Sequence, residues 1–195
     1  MTVDRLLRPL AAAVLACAGA AHAATVCRYG ANLDVPADGE GLYLNFATGV
    51  SARTEGGAPG FDLDVYAMQV SSPGGQMKFY WGPVSNPGAG VVTSGDTYAV
   101  LAAGDTVGPA STFSRAAAGG VTTAWQAGIT GFLGARFRNE AAGNALHYGW
   151  VRLATTAPLG FPATILDWCY DDAGEAIVIA LPDALFANGF EAATP

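Results

Sequence analysis

The alternation of apolar and polar positions is clearest in residues 131–154, which read GFLGARFRNEAAGNALHYGWVRLA. Two runs of period two flank a polar connection that contains glycine, so this stretch predicts two antiparallel strands joined as a hairpin. Both arms carry apolar side chains on both faces. Because an isolated hairpin is only marginally stable in water, the pattern favours central strands of a packed β-structure.

Shorter runs of the same period predict further strands along the chain. They span residues 42–46, 61–67, 77–81, 97–102, 111–114, 163–170 and 176–181. The last two runs are predicted to pair with each other across the turn at 171–175. Segments 30–41, 48–60 and 84–95 are predicted loops, because polar residues, Gly and Pro dominate them.

About ten short strands and no convincing helical period indicate an all-β fold. The predicted architecture is an antiparallel β-sandwich, jelly-roll-like in its strand count. A single sheet closed on itself is the alternative. We see no internal repeat and no internal domain boundary, so residues 24–182 are predicted to form one β-sandwich domain.

Residues 1–23 have the pattern of a secretory signal peptide. Arg5 and Arg8 precede an apolar run over residues 10–21, which is too short for a stable transmembrane helix. Ala21 and Ala23 are the small residues that signal peptidase requires, so the mature chain is predicted to begin at Ala24 without a transmembrane segment. A lipoprotein acylated at Cys17 is the alternative interpretation.

Signal cleavage would leave two of the three cysteines, Cys27 and Cys169, in an oxidising compartment. We therefore predict a disulfide between them, with two buried free thiols as the alternative. The predicted localisation is secreted, extracellular or at the outer cell surface.

Charge narrows the range of partners. Cleavage would remove one of the 16 acids and two of the nine bases, leaving a net charge of about −8. Because neutralising phosphates requires clustered Lys and Arg, this charge argues against nucleic acid as a partner.

Acidic residues offer two candidate sites for chemistry. Asp34, Asp38 and Glu40 could supply oxygen ligands to calcium, but their spacing does not match a calcium-loop motif, so we predict a solvated loop. Asp62 and Asp64 share one face of a predicted strand and could bind a metal ion or act as acid and base. We predict instead that they lie on the solvent-exposed face of an edge strand.

Sequence motifs for catalysis are absent. The chain has no G-x-S-x-G, H-E-x-x-H, phosphate loop or C-x-x-C motif, and His147 is the only histidine after residue 23. We expect no enzymatic activity, no cofactor, no metal site and no catalytic residues.

Aromatic residues suggest an alternative function. A carbohydrate-binding module would need a row of exposed rings, and the candidate ligand-binding residues are Trp81, Trp125, Tyr148, Trp150 and Arg152. Extracellular polysaccharide or other cell-surface components would then be the partners. Because aromatic residues in β-proteins are more often buried, a structural or adhesive role remains the main hypothesis.

The runs GFLGARF, HYGWVRL and PATILDWCYDDAGEAI resemble the C-terminal half of a group of secreted bacterial β-proteins, many of which carry a PEP-CTERM sorting tail. The likeness continues upstream through PGFDLDVY, MKFYWG and YAVLAAGDTVGPASTF, and covers roughly residues 42–181. It implies an exported, extracellular β-sandwich and transfers no catalytic residues. The chain lacks the Pro-Glu-Pro motif and basic cluster of that tail.

Residues 183–195 instead read DALFANGFEAATP, which is similar to a D-x-(I/L)-F-x-(D/N)-G-F-E tail found on otherwise unrelated secreted proteins of Gram-negative bacteria. The resemblance implies a signal for sorting or surface attachment. The alternative is a terminal peptide whose Phe186 and Phe190 dock on the sandwich.

Overall fold

The computed structural model describes residues 24–69, 74–81, 88–114 and 120–181. Its strands are β1 (Thr25–Arg28), β2 (Leu33–Val35), β3 (Leu42–Leu44), β4 (Ser51–Ala52), β5 (Leu63–Met68), β6 (Gln76–Tyr80), β7 (Gly90–Ser94), β8 (Thr97–Tyr98), β9 (Thr106–Val107), β10 (Phe113–Ser114), β11 (Thr130–Asn139), β12 (Ala145–Ala154), β13 (Ala163–Asp171) and β14 (Ile177–Val178). One short helix, α1 (Thr123–Gln126), and the 3-10 turns Glu55–Gly57 and Glu140–Ala142 are the other regular elements of these residues. Strand makes up 47% and helix 7% of the described residues, which confirms the predicted all-β class.

The predicted hairpin is the centre of the larger, eight-stranded sheet. Strands follow the order β1–β13–β12–β11–β7–β10, with β2 also paired to β13 and β8 to β7. Within it, β11 and β12 pair along their whole length, from Thr130 opposite Ala154 to Asn139 opposite Ala145. Local residues build the turn: the Asn139 side chain accepts a hydrogen bond from the Ala141 amide at 3.0 Å, and Gly143 is left-handed with φ 65°.

A second, four-stranded sheet in the order β4–β3–β5–β6 packs against one face of the larger sheet. Apolar residues of both sheets form the main core between them. From the smaller sheet these include Leu44, Leu63, Val65, Met77 and Phe79, and from the larger sheet Leu133, Phe137, Val151, Leu153 and Ile165. Both sheets are antiparallel and open, so the predicted sandwich is confirmed and the closed single sheet is wrong.

The opposite face of the larger sheet is also covered. Strands β9 and β14 pair as a two-stranded ribbon over it and close a second core. Its buried members are Val92, Val107, Phe132, Tyr148, Trp150, Cys169, Ile177 and Ile179. The covering layer lies close, because a Cβ at Gly134 would stand 3.0 Å from Cγ2 of Val107 on β9. The central hairpin is therefore buried on both faces, as its two apolar faces predicted.

The predicted disulfide between Cys27 and Cys169 is present. The two cysteines are directly opposite in the β1–β13 register, with Cα atoms 4.1 Å apart and a sequence separation of 142 residues. The bond therefore fastens an edge strand near the start of the described chain to a strand near its end.

Some predicted loops contain strands, and one predicted pairing is wrong. Segment 84–95 contains β7, which lies inside the larger sheet, while 30–41 contains β2 and 48–60 contains β4. The run at 176–181 was expected to pair with β13, but β14 pairs with β9 instead. The connection after β13 carries the chain over the face of the sheet rather than back along its edge.

The prediction that Asp62 and Asp64 lie on the solvent-exposed face of an edge strand is also wrong. Strand β5 lies between β3 and β6 and is not an edge strand. Asp62 is fully buried and Asp64 is 3% exposed. Asp62 accepts a hydrogen bond from the Phe46 amide at 2.8 Å, and Asp64 lies between the cross-strand neighbours Tyr43 and Tyr80.

The described residues contain no helix with the length and apolar character needed to cross a membrane. The predicted signal peptide at 1–23 and the predicted tail at 183–195 lie outside the described residues.

Candidate functional site

Four of the five predicted ligand-binding residues are buried aromatic side chains. Trp81 and Trp125 are 0% exposed, Trp150 is 1% exposed and Tyr148 is 8% exposed. Trp81 and Trp125 belong to the main core, and the other two lie under the β9–β14 ribbon in the second core. The predicted sugar platform on these rings is therefore not available to a ligand.

Arg152 has a different environment from these four residues. It continues the face of β12 that carries Tyr148 and Trp150, but it lies beyond the end of the apolar cover and is half-buried. Here a pocket of about 400 Å³ opens at the surface. Its lining consists of Tyr29, Gly30, Asn32, Arg152, Asp167 and Leu181.

The pocket arises from irregularities on both edges of β13. On one edge, Arg152 pairs with Asp167 but Leu153 pairs with Ile165, so Leu166 is a bulged residue. On the other edge, β1 ends at Arg28 and β2 resumes at Leu33, and the intervening loop is held by a 2.9 Å hydrogen bond from the Ala31 amide to the Leu166 carbonyl. Bulges of this kind redirect side chains and are frequent beside functional sites.

A nearly buried ion pair forms the polar wall of the pocket. Arg152 Nη2 contacts Asp167 Oδ2, and the two side chains are 27% and 3% exposed. Asp167 Oδ1 accepts a hydrogen bond from the Gly30 amide at 2.7 Å, so the same carboxylate anchors the loop. Arg152 Nε is buried and has no hydrogen-bond partner, which leaves the guanidinium with an unused donor.

The loop supplies the remaining wall. Tyr29 is 47% exposed, the largest exposed fraction of any aromatic side chain among the described residues. Asn32 adopts a left-handed conformation with φ 48°, and its side-chain amide donates to the Gly30 carbonyl at 3.2 Å. An aromatic ring therefore stands beside planar polar groups that are held by the backbone, an arrangement that suits a ligand with both apolar ring faces and hydroxyl groups.

A second polar feature lies on the outer face of the smaller sheet. Tyr43, Asp64 and Tyr80 are consecutive cross-strand neighbours on β3, β5 and β6. Burial raises the pKa of the Asp64 carboxyl to about 8, and the nearby charge of Glu40 adds to the rise. Burial and the charge of Asp64 likewise raise the pKa of Tyr43 to about 12.

The remaining chemical candidates have structural contacts. His147 is 2% exposed, its Nδ1 lies 2.8 Å from the Asp171 carbonyl oxygen, and its ring packs near Phe137 and Tyr170. Because a carbonyl oxygen only accepts, Nδ1 donates in this contact. Among the described residues, no group of three or more His, Cys, Asp and Glu side chains is arranged to hold a metal ion. The residues searched include the calcium candidates Asp34, Asp38 and Glu40.

Sequence reasoning named Arg152 but missed Tyr29, Asn32 and Asp167. One available signal was the lone acid in the apolar run TILDWC together with the lone base in YGWVRLA. Opposite charges isolated in two neighbouring apolar strands indicate a paired, partly buried site, because an unpaired charge is too costly to bury. The role of Tyr29 depends on the loop conformation, which no local pattern specifies.

In comparisons with known proteins, no family model, no curated protein and no solved structure matches this chain.

Proposed function

We propose that this chain is an exported β-sandwich that acts outside the cell, free or at the cell surface, in a structural or adhesive role and without catalysis. The observation that carries the proposal is the in-register disulfide between Cys27 and Cys169. Disulfides form and persist in oxidising compartments and are rare in the cytosol. The signal-like residues 1–23 and the resemblance to secreted bacterial β-proteins support the same location.

The roles of several carboxylates support a structural function. Asp38 accepts hydrogen bonds from the amides of Glu40 and Gly41 and pairs with Arg53. Asp171 accepts in the same way from two amides of the turn after β13. These groups hold loops in place, whereas a general acid or base has to reach the reacting atoms of a substrate.

The proposal assigns residues 1–23 to export, 24–182 to the β-sandwich domain and 183–195 to a tail for sorting or attachment. In this arrangement the domain is a disulfide-linked β-sandwich, and the tail determines where the protein is retained. Polysaccharide or other cell-surface material is the proposed partner, without nucleic acid or a cofactor.

Intact mass and thiol titration test the export part of the proposal. The full chain is expressed in a Gram-negative host and the product is purified. We expect a chain that begins at Ala24 and has no free thiol at Cys27 or Cys169. A terminus at a diacylglyceryl Cys17, or a product in the cytoplasm with titratable thiols, would contradict this expectation.

An attachment assay tests the adhesive part. Cells that express the full chain are compared with cells carrying the empty vector for retention on a polysaccharide-coated surface under flow. We expect higher retention, which external protease abolishes together with the surface-exposed protein. If the protein is exposed on the cells but retention equals that of the vector control, the adhesive role is wrong.

A further inference from the structure

We propose that the pocket between Tyr29 and the Arg152–Asp167 pair binds a neutral sugar unit of an extracellular polysaccharide. This inference rests on the proposed adhesive role and names its ligand class. It places sugar binding on the loop between β1 and β2 and on the bulge of β13, away from the buried tryptophans.

The size and lining of the pocket fit this ligand. Its volume of about 400 Å³ lies at the lower end of the range for small-molecule sites, which is roughly 300–1,000 Å³. The C–H faces of a pyranose ring can stack on the Tyr29 ring, which is 47% exposed. Its hydroxyl groups can then accept from the Arg152 guanidinium, and can both donate to and accept from the side-chain amide of Asn32.

The polar groups are fixed before any ligand arrives. Asp167 is 2% exposed and is held by both the Arg152 guanidinium and the Gly30 amide. The Ala31 amide fastens the loop to the bulged Leu166. A preorganised site of this kind loses little conformational entropy on binding, which favours a weakly interacting ligand such as a sugar.

The charge of the site favours neutral over acidic sugars. Arg152 and Asp167 form an ion pair, so their charges cancel at the pocket wall. The chain as a whole carries a net charge of −7, which repels polyanions. A uronic acid polymer would therefore encounter an acidic protein whose pocket arginine is already paired.

The test measures affinity of the purified protein for soluble polysaccharides by affinity electrophoresis. The neutral probes are a β-glucan, a xylan and a galactomannan, and the acidic probe is alginate. We expect retardation by at least one neutral probe and none by alginate. Tyr29→Ala should weaken the affinity about tenfold or more while the melting temperature stays unchanged, because the side chain is exposed.

Tyr80→Ala is the matched control. Tyr80 is also an exposed tyrosine, at 36%, but it lies on the smaller sheet, whereas the pocket is built on the larger one. We expect this variant to keep wild-type affinity. Equal affinity of Tyr29→Ala and wild type, or a larger loss in Tyr80→Ala, would overturn the assignment of the pocket.

Asp167→Asn tests the charge argument independently. The amide oxygen of Asn can still accept from the Gly30 amide, but Arg152 loses its counter-charge. We expect this variant to gain retardation by alginate that added salt abolishes, since the pocket then carries a net positive charge. If it gains none, the ion pair does not face a ligand and the proposal fails.

Two further outcomes would overturn the inference: no retardation of wild type by any neutral probe, or binding of wild type to alginate alone. Both are separate from failure of the adhesive role. The attachment assay can succeed on cells whose purified protein binds no neutral polysaccharide, and purified protein can bind sugar even if the cells show no added retention.

Discussion

At the scale of single residues, the least expected feature is the pair of buried acids on and beside β5. Asp62 Oδ1 and Asp64 Oδ1 are buried and have no hydrogen-bond partner, although the Phe46 amide donates to the other oxygen of Asp62. Burial raises the pKa of Asp62 well above its usual range, and the charge of Glu140 adds to the rise. Because a neutral carboxyl is much cheaper to bury than a carboxylate, both side chains favour the protonated form in the folded protein.

The raised pKa of Asp64 predicts a stability that falls as pH rises. The folded-state pKa is about 8, whereas an unfolded Asp titrates near a pKa of about 3.9. Between these values the folded state holds a proton that the unfolded state has lost, so the free energy of unfolding decreases with pH across that window and levels off above it. Asp62 acts in the same direction, and Glu40, Asp38 and Glu55 all oppose ionisation of Asp64.

Asp64→Asn should therefore raise the melting temperature at pH 8 and reduce the difference between the melting temperatures at pH 5 and pH 8. Thermal unfolding at the two pH values measures this. Asp96→Asn replaces an exposed carboxylate and serves as the control, for which we expect no change in that difference. A variant at Asp64 that is no more stable than wild type at pH 8 would show that ionisation of this carboxyl is not what limits stability there.

Trp150 leads to a second prediction at this scale. Its side chain is 1% exposed and packs edge-on against Phe132 with ring centroids 5.2 Å apart. Trp150→Ala should cost about 3–5 kcal/mol of unfolding free energy, because it empties a large site in the second core. Denaturant unfolding measures the loss, with Tyr29→Ala as the control because Tyr29 is 47% exposed. A loss below about 1 kcal/mol would mean that the ribbon moves in to fill the vacant space.

At the scale of elements, the sequence predicted what local pattern controls. The hairpin of β11 and β12 followed from two long alternating runs and a polar turn, and the cross-strand disulfide followed from the cysteine count and the predicted compartment. The orientation of β5 did not follow, because alternation assigns residues to two faces without saying what covers each one. Phe61 and Tyr43 pack with ring centroids 4.8 Å apart near Asp64, a contact between two neighbouring segments that the alternation within either one does not report.

The pairing of β14 shows the same limit. A turn after β13 is compatible with a hairpin, and the sequence offered no signal against one. The actual partner, β9, lies far earlier in the chain, in a register that pairs Ile177 with Val107. The pocket depends on the same nonlocal geometry, since its ion pair requires Arg152 and Asp167 to be opposite one another beside a bulge.

The disulfide gives the prediction for an element. Strand β1 is an edge strand that pairs only with β13 in the described sheet, so the bond is a main restraint on its position. Cys27→Ser should lower the free energy of unfolding by about 2–5 kcal/mol and the melting temperature by several degrees. The double variant Cys27→Ser/Cys169→Ser controls for the reactivity of a single free thiol. If both variants melt at the same temperature as wild type, the expected role of the disulfide is contradicted.

At the scale of the whole molecule, the chain forms three layers: the four-stranded sheet, the eight-stranded sheet and the β9–β14 ribbon. The last described residues that are buried in the second core are Ile177 and Ile179, which are 4% and 1% exposed. Leu181 is exposed at the rim of the pocket.

Deletion of residues 183–195 should leave the β-sandwich folded and change where the protein is retained. Because described residues up to Ile179 already form two buried cores, we expect the melting temperature of the truncated protein to stay close to that of the full chain. If the tail is a signal for sorting or attachment, the truncated protein should shift from the cell surface to the medium or periplasm, which fractionation and external protease measure.

A Phe186→Ala/Phe190→Ala variant separates the two interpretations of the tail. Normal stability with altered location would support a signal, whereas a large drop in melting temperature for either variant would place these rings among the residues that stabilise the sandwich and rule out the signal interpretation.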